Sequence, residues 1–306
     1  MSRVEWTAEA EGRLDAEVRR GAELSHGKAR KAVLTGKVFL DGVRVLDGAT
    51  QVFPGARLRY DPASPDPART EPLGVRLVYR DDWLLVVDKP AGLLSTPTGL
   101  EEADTALRAA QLLTRGGRSP KVVHRLDQET SGLLVFARGV PAARALRAAI
   151  DDRTLRRTYR CVVAGVPAEP EGMITSMLLR DGGQGRRGSR RGTLKVRPAN
   201  RPDPGPMPGS GQLAITRYSV CKHTPERAAL EVRLSTGRTH QIRIHLAEMG
   251  HPVLGERVYA RPGGASRQAL HAAKLCVPHP ETGELLFFES RWPADLATVN
   301  PIGDDW

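Results

Sequence analysis

The spacing of apolar positions changes in short blocks along the chain. Leu14 and Val18 stand four apart, which predicts a short helix. Ser25 is placed to cap a second helix over 28–34, which Gly36 would end. Residues 37–40, Asp41-Gly42 and residues 43–45 then predict a β-hairpin closed by a tight D-G turn, and 51–60 a further strand. Farther on, apolar and alternating runs predict strands at 75–88, 133–138, 158–166, 213–221 and 228–235. Ile242, Leu246 and Met249 recur at helical spacing. They predict an amphipathic helix started by Thr239 and ended by Gly250 and Pro252.

Two segments interrupt these patterns. Residues 61–72 carry Pro62, Pro65, Pro67 and Pro72 and read as a stiff, extended linker. It divides a unit at 1–60 from a larger one at 73–306. Residues 180–211 are Gly/Arg-rich, then Pro/Gly-rich, and read as a long, mobile basic insertion between strands. The formal net charge is +11, and the two stretches 180–201 (net +7) and 25–60 (net +5) more than account for it. Two basic patches on a near-neutral body suggest two surfaces for an anionic partner, nucleic acid above all.

Other classes recede. Cys161, Cys221 and Cys276 are far apart and odd in number, so neither a zinc ribbon nor a disulfide framework is supported. The opening residues lack the apolar run of a signal peptide, and no stretch approaches the ~20 apolar residues of a membrane span. A cytoplasmic protein with no membrane partner is expected, with monomer as the default.

Candidate chemistry gathers in a few polar strings. His-Arg-Leu-Asp-Gln-Glu-Thr-Ser-Gly at 124–132 forms a polar loop between apolar strands, where sites are commonly built. Asp127 there is a candidate nucleophile or base, or equally the cap of a turn. His124 and Asp127 alone are a weak metal signal, and His240 and His245 miss the spacing of a zinc helix, so packing or RNA contact is the plainer reading of those two histidines. Tyr159 opens a strand after the basic run 153–157 and by itself reads as core.

Taken together, the strings resemble two known families. L-S-x-x-K-A-R-K-A-V-L-T-G-K-V-F-L-D-G at 24–42 resembles an alpha-L RNA-binding domain, with His26 where arginine is usual. H-R-L-D-x-x-T-S-G-L-L-V-F-A at 124–137 resembles the defining motif of pseudouridine synthases of the RluA type. The K-P-x-G entry at 89–92, R-T-Y at 157–159, G-R-T-H-Q-I-R at 237–243, G-H-P-V-L-G at 250–255 and L-H-A at 270–272 fit the same family.

The resemblance implies an α+β catalytic domain with a mixed, largely antiparallel sheet and flanking helices, beside a small α+β RNA-binding domain. It implies isomerisation of uridine to pseudouridine in a structured RNA, large-subunit rRNA first and tRNA second. No metal or cofactor is implied, since the reaction is redox-neutral. By position, Asp127 would be the catalytic aspartate, Arg243 its basic partner and Tyr159 the aromatic that stacks on the base. Arg125 would fill the space that a flipped base leaves, Leu270 would pack under the base, and His124 and Thr130 would support the loop. Lys28, Arg30, Lys31 and Lys37 would contact RNA. Arg157, Glu256, Ser95-Thr96-Pro97 and the segment 289–292 depart from the family's usual residues, and none is expected to touch Asp127, Tyr159 or Arg243. A ribosome-assembly factor with a retired site is the alternative of another class. A uridine N-glycosidase and a metal hydrolase are weaker ones.

Overall fold

The computed structural model describes residues 3–45, 47–64, 72–97, 104–114, 118–180, 187–205 and 210–303. The chain divides into two compact units, Met1–Arg69 and Thr70–Trp306.

In the first unit, β1 (Val4–Thr7), β2 (Gly12–Arg13), α1 (Leu14–Gly21), α2 (His26–Leu34), β3 (Val38–Leu40), β4 (Val43–Val45), β5 (Gln51–Val52) and β6 (Arg57–Tyr60) follow in order. The sheet order is β1-β6-β3-β4, with β2 and β5 paired separately. Ser25 caps α2 by accepting from the Lys28 N–H. The β3–β4 turn places Asp41 and Gly42 at φ of 48° and 79°, the two positive values that a tight hairpin turn requires. Leu14, Val18, Ala29, Val33, Val38 and Leu58 form the core under the helix pair. The strand expected over 51–60 is two strands, because Pro54 has no N–H for a ladder and Gly55 turns the chain at φ 90°. Of the expected 61–72 linker, residues 65–71 lie outside the described residues.

The second unit holds β7 (Arg76–Arg80), β8 (Leu84–Lys89), α3 (Ala106–Leu113), β9 (Pro120–Val122), β10 (Ser131–Arg138), α4 (Val140–Asp151), β11 (Arg156–Ala164) and β12 (Glu171–Leu179). There follow β13 (Gly188–Ser189), β14 (Lys195–Arg197), β15 (Gln212–His223), β16 (Arg227–Leu234), α5 (Gln241–Glu248), β17 (Leu270–Pro278) and β18 (Leu285–Glu289). Among the described residues the sheet runs β13-β12-β15-β16-β11-β17-β10-β8-β7, with β14 on β12, β18 on β17 and β9 on β10. Every pairing is antiparallel except β10 with β17.

Residues 131–138 of β10 are all buried, because helices cover both faces of the sheet there. Leu84 and Val86 pack with Leu146 of α4 on one side, while Leu85 and Val87 pack with Ala106 and Ala110 of α3 on the other.

Two expectations need correction. The helix over 241–248 is not amphipathic: every residue from Gln241 to Leu246 is buried. Its polar members are absorbed by partners rather than by water, as His245 bonds Ser176 and Thr216 at 2.9 Å each. The residue before its first turn is His240, in the left-handed region, rather than Thr239. The described part of the 180–211 insertion is also not wholly loop, since β13 and β14 both add to β12.

Candidate active site

The loop between β9 and β10 carries Asp127, and its backbone is held at four successive carbonyls. Leu126 O accepts from the Ser95 hydroxyl at 2.7 Å, and the same hydroxyl accepts from Leu126 N at 2.9 Å. Asp127 O accepts from Thr130 N. Gln128 O accepts from Gly92 N at 2.9 Å and from the Lys89 ammonium at 3.1 Å. Glu129 O accepts from Arg267 Nη1 at 3.2 Å. Lys89 is fully buried and also bonds the carbonyls of Pro90 and Leu93. Burial drives its amine down to about 7, against the opposing pull of Asp127 and Glu129. A loop whose backbone is held at these four carbonyls presents its side chain in one place without reorganising.

The loop meets β10 at Gly132, where φ is +111° and a Cβ would stand 2.3 Å from the carbonyl oxygen of Ala272. Only glycine allows this parallel contact of β10 with β17. The contact brings Leu270, at the start of β17, to the floor of the same site.

Asp127, Arg243, Tyr159, Arg125, Leu270, His124 and Thr130 all line one cleft of about 820 Å³. The Asp127 side chain is 23% exposed, and its Oδ2 accepts from Arg243 Nη1 at 3.1 Å. Tyr159 lies in the wall at β11, nearly buried, and burial raises its phenol pKa. Arg125 is exposed at the mouth. His124 is buried behind the wall, where its Nε2 accepts from Val135 N at 3.3 Å. Burial lowers its pKa to about 3, so the imidazole is neutral. The Thr130 hydroxyl is buried without a hydrogen-bond partner.

Glu256 is where the structure overturns an expectation. This departure from the family pattern does touch the arginine: Oε2 accepts from Arg243 Nε at 2.8 Å and Oε1 from Nη2 at 3.0 Å. Oε1 also accepts the backbone N–H groups of Arg257, Val258 and Tyr259. Burial alone would raise the Glu256 pKa, but the Arg243 bonds and backbone donors outweigh it and hold it below the ordinary value. Burial likewise pulls on the Arg243 guanidinium, and Glu256 and Asp127 together hold it above its ordinary value. Arg243 is therefore gripped on two nitrogens by Glu256, with the third aimed at Asp127.

Gly255 makes that grip possible. It has φ +76°, and a Cβ there would lie 2.0 Å from the Arg267 carbonyl oxygen. The G-R-T-H-Q-I-R string is anchored by Gln241, which bonds Thr236, Arg238 N, Ile215 O and Thr216.

Sequence reasoning passed over several members of this site. Lys89, Ser95 and Arg267 hold the loop, Glu256 holds the arginine, and Tyr259 bonds His240. His240, read as packing or RNA contact, lines the cleft with Nε2 4.0 Å from Asp127 Oδ1. The signal that could have found Glu256 and His240 was a charged or polar residue beside a glycine or a helix start within otherwise apolar strings.

The RNA-contact candidates belong to the first unit. Lys28, Arg30 and Lys31 are exposed on α2. Lys37 is half-buried, and its ammonium bonds the Ser64 carbonyl. Among the described residues, no three His, Cys, Asp or Glu side chains are grouped to hold a metal ion. No helix among them is long and apolar enough to cross a membrane.

The sequence pattern of the family described as RNA pseudouridylate synthase matches residues 83–248. The chain is 34% identical to the ribosomal large subunit pseudouridine synthase D of Vibrio cholerae, across 90% of this chain and 86% of that protein. It is 38% identical to a Bacillus subtilis protein named uncharacterized RNA pseudouridine synthase YhcT, across 73% of this chain and 70% of that one. Human RNA pseudouridylate synthase domain containing 1 is similar in fold, with a TM-score of 0.57 at 22% identity, over 77% of this chain and 89% of that one.

Proposed function

The chain belongs to the RNA pseudouridylate synthase family, an isomerase family acting on RNA uridines, and we propose that it converts uridines of large-subunit ribosomal RNA with Asp127 as the catalytic carboxylate. The observation that carries this reading is the aspartate itself. It is partly exposed in a cleft of about 820 Å³, on a loop fixed at four carbonyls, with one oxygen paired to a doubly held arginine.

Pseudouridine formation breaks the bond from uracil N1 to the ribose, turns the base and rejoins it through C5. The reaction needs a carboxylate in a fixed place and a pocket that excludes water. Arg243 orients Asp127 through its bond to Oδ2, leaving Oδ1 for the nucleotide. The uridine must leave its stack, at a cost of a few kcal/mol. Tyr159 and Leu270 offset part of that cost by contact with the base, typically ~1–3 kcal/mol for an aromatic stack. Arg125, exposed at the mouth, occupies the space the base vacates. Lys28, Arg30 and Lys31 of the first unit contact RNA phosphates, and so do Arg190, Arg191 and Arg197 of the insertion. They supply affinity without sequence information. The protein acts as a cytoplasmic monomer in this reading.

The test is tritium release from RNA labelled at uridine C5, with wild type and Asp127→Asn compared on ribosomal and transfer RNA pools. Release from large-subunit rRNA by the wild type alone is expected. Release from tRNA alone would move the substrate, and equal release by the Asn variant would remove Asp127 from the chemistry.

A further inference from the structure

The reaction moves a proton as well as a bond. Once C5 has joined the ribose, it carries both the sugar carbon and its original hydrogen. The C5–H pair must then become the C5=C6 bond, the C6=N1 pair moves onto N1, and N1 takes up a proton. Nothing is oxidised, and one proton leaves carbon while one arrives at nitrogen. A base other than the carboxylate already engaged with the sugar is useful here.

The cleft contains few candidates. Tyr159 is nearly buried, and burial keeps its phenol protonated. His124 spends its Nε2 lone pair on the Val135 N–H. His240 differs from both. It sits at φ +57° immediately before α5, a left-handed position that is unfavourable for a residue with a Cβ. That backbone turns the imidazole into the cleft, where the side chain is 30% exposed. Its Nδ1 lies 2.8 Å from the Tyr259 hydroxyl. Its Nε2 faces Asp127 Oδ1 at 4.0 Å and has no hydrogen-bond partner among the described residues. One substrate atom about 2.8 Å from each of those two groups would sit at ordinary hydrogen-bond distance from both.

We propose that His240 is a second catalytic residue, whose Nε2 takes the proton from uracil C5 and returns one to N1, directly or through water. The proposal rests on Asp127 being the catalytic carboxylate. It requires the tautomer in which Nδ1–H donates to the Tyr259 oxygen and Nε2 keeps its lone pair. Tyr259 is fixed for that role, because its backbone N–H donates to Glu256 and its ring lies against the Arg243 guanidinium. The charged groups around the imidazole are Asp127 and Glu256, which favour the protonated ring, and Arg243 and Arg187, which oppose it. Burial is the largest influence and keeps the ring neutral, hence basic, at neutral pH.

The decisive variant is His240→Asn. Asparagine tolerates a left-handed backbone and can still bond Tyr259, but it cannot accept a proton. Single-turnover rates are measured for full-length protein on target RNA carrying hydrogen or deuterium at C5, with thermal unfolding to verify the fold. The expected result is a loss of about a hundredfold or more. A C5 isotope effect larger than the wild type's is expected with it, as well as recovery of rate with added imidazole. A second variant, Tyr259→Phe, is expected to keep turnover but shift the acid limb of the pH profile. A His240→Asn protein within threefold of wild type would overturn the proposal. So would one that is slow with no enlarged isotope effect and no imidazole recovery. Inactivity of the wild type itself would sink the isomerase reading, and this proposal with it.

Discussion

Glu256→Gln is the most informative perturbation of the described geometry. The substituted amide would keep the volume and an oxygen for the three backbone N–H groups now bonded to Oε1. It would also place an N–H2 group where Oε2 now accepts from Arg243 Nε at 2.8 Å, setting donor against donor. One charge-assisted bond, worth about 1.5–3 kcal/mol, is lost outright, and the bond to Nη2 becomes an ordinary one. Breaking a buried ion pair costs about 3–5 kcal/mol, and the pair of Arg243 with Asp127 survives, so a loss near ~3 kcal/mol is expected. Urea unfolding at neutral pH reads this directly. The same change leaves the guanidinium bonded to Asp127 Oδ2 but less firmly placed, so the carboxylate is held less rigidly. A displacement of about 1 Å in a positioned group costs up to a hundredfold in rate, so single-turnover tritium release should fall ~10–100-fold. RNA affinity should stay within about twofold, because Glu256 is not among the residues proposed to contact phosphate. Glu256→Asp keeps the charge and should recover most of both losses. Wild-type stability and rate in the Gln variant would refute the claim that Glu256 orients Arg243. Weakened RNA binding at an unchanged rate would refute it too.

Three further outcomes are expected. Gly132→Ala sets a Cβ 2.3 Å from a backbone oxygen at φ +111°, so strain and overlap together should cost about 3 kcal/mol or more, read as a lower urea midpoint. Burial lowers the pKa of His124 to about 3 and of His245 and His271 to about 4, from the ordinary 6.5. These depressed groups stabilise the fold fully above pH 6.5, and that stability is lost as pH falls toward 4, by about 1.4 kcal/mol per pH unit for each ring. Denaturant unfolding at pH 7, 6 and 5 checks this, and a flat profile would contradict it. Reversing charge at Lys28, Arg30 and Lys31 should weaken binding of rRNA fragments and flatten the salt dependence by ~0.7–0.9 per lost contact, in a filter-binding series. An unchanged slope would take α2 out of the RNA interface.

Much of the architecture was legible in the amino-acid order because it rests on local physics. The Ser25 cap, the Asp41-Gly42 turn and the strands that became β10, β11, β15 and β16 follow from capping, positive φ and apolar spacing. The single strand expected over 75–88 is instead the antiparallel pair β7 and β8, turned where the Asp81 carboxylate accepts from the N–H groups of Trp83 and Leu84. The strands β12 and β17 and the helices α3 and α4 were not anticipated. Their apolar residues, such as Ala106, Ala109 and Ala142, carry weak spacing signals and are fixed by packing on the sheet. The helix at 241–248 shows the limit of periodicity. Its apolar stripe was visible, yet burial on all sides depends on β12 and β15 supplying Ser176 and Thr216 to its polar face.

The site divides in the same way. The sequence alone determined that Asp127, Tyr159, Arg243, Arg125, Leu270, His124 and Thr130 belong to related motifs, and the fold brings all seven to one cleft. Only the tertiary structure decided that Glu256 grips Arg243 and that His240 faces Asp127. It also decided that Ser95, Lys89 and Arg267 clamp the loop from three other segments. Motif strings record residues close along the chain, whereas these contacts join residues up to 138 positions apart. A carboxylate near a guanidinium in space leaves no periodic trace in the order of residues. What spacing cannot encode, the parallel contact at Gly132 and the left-handed turn at His240 supply, because each admits few backbone conformations and so fixes where a side chain must point.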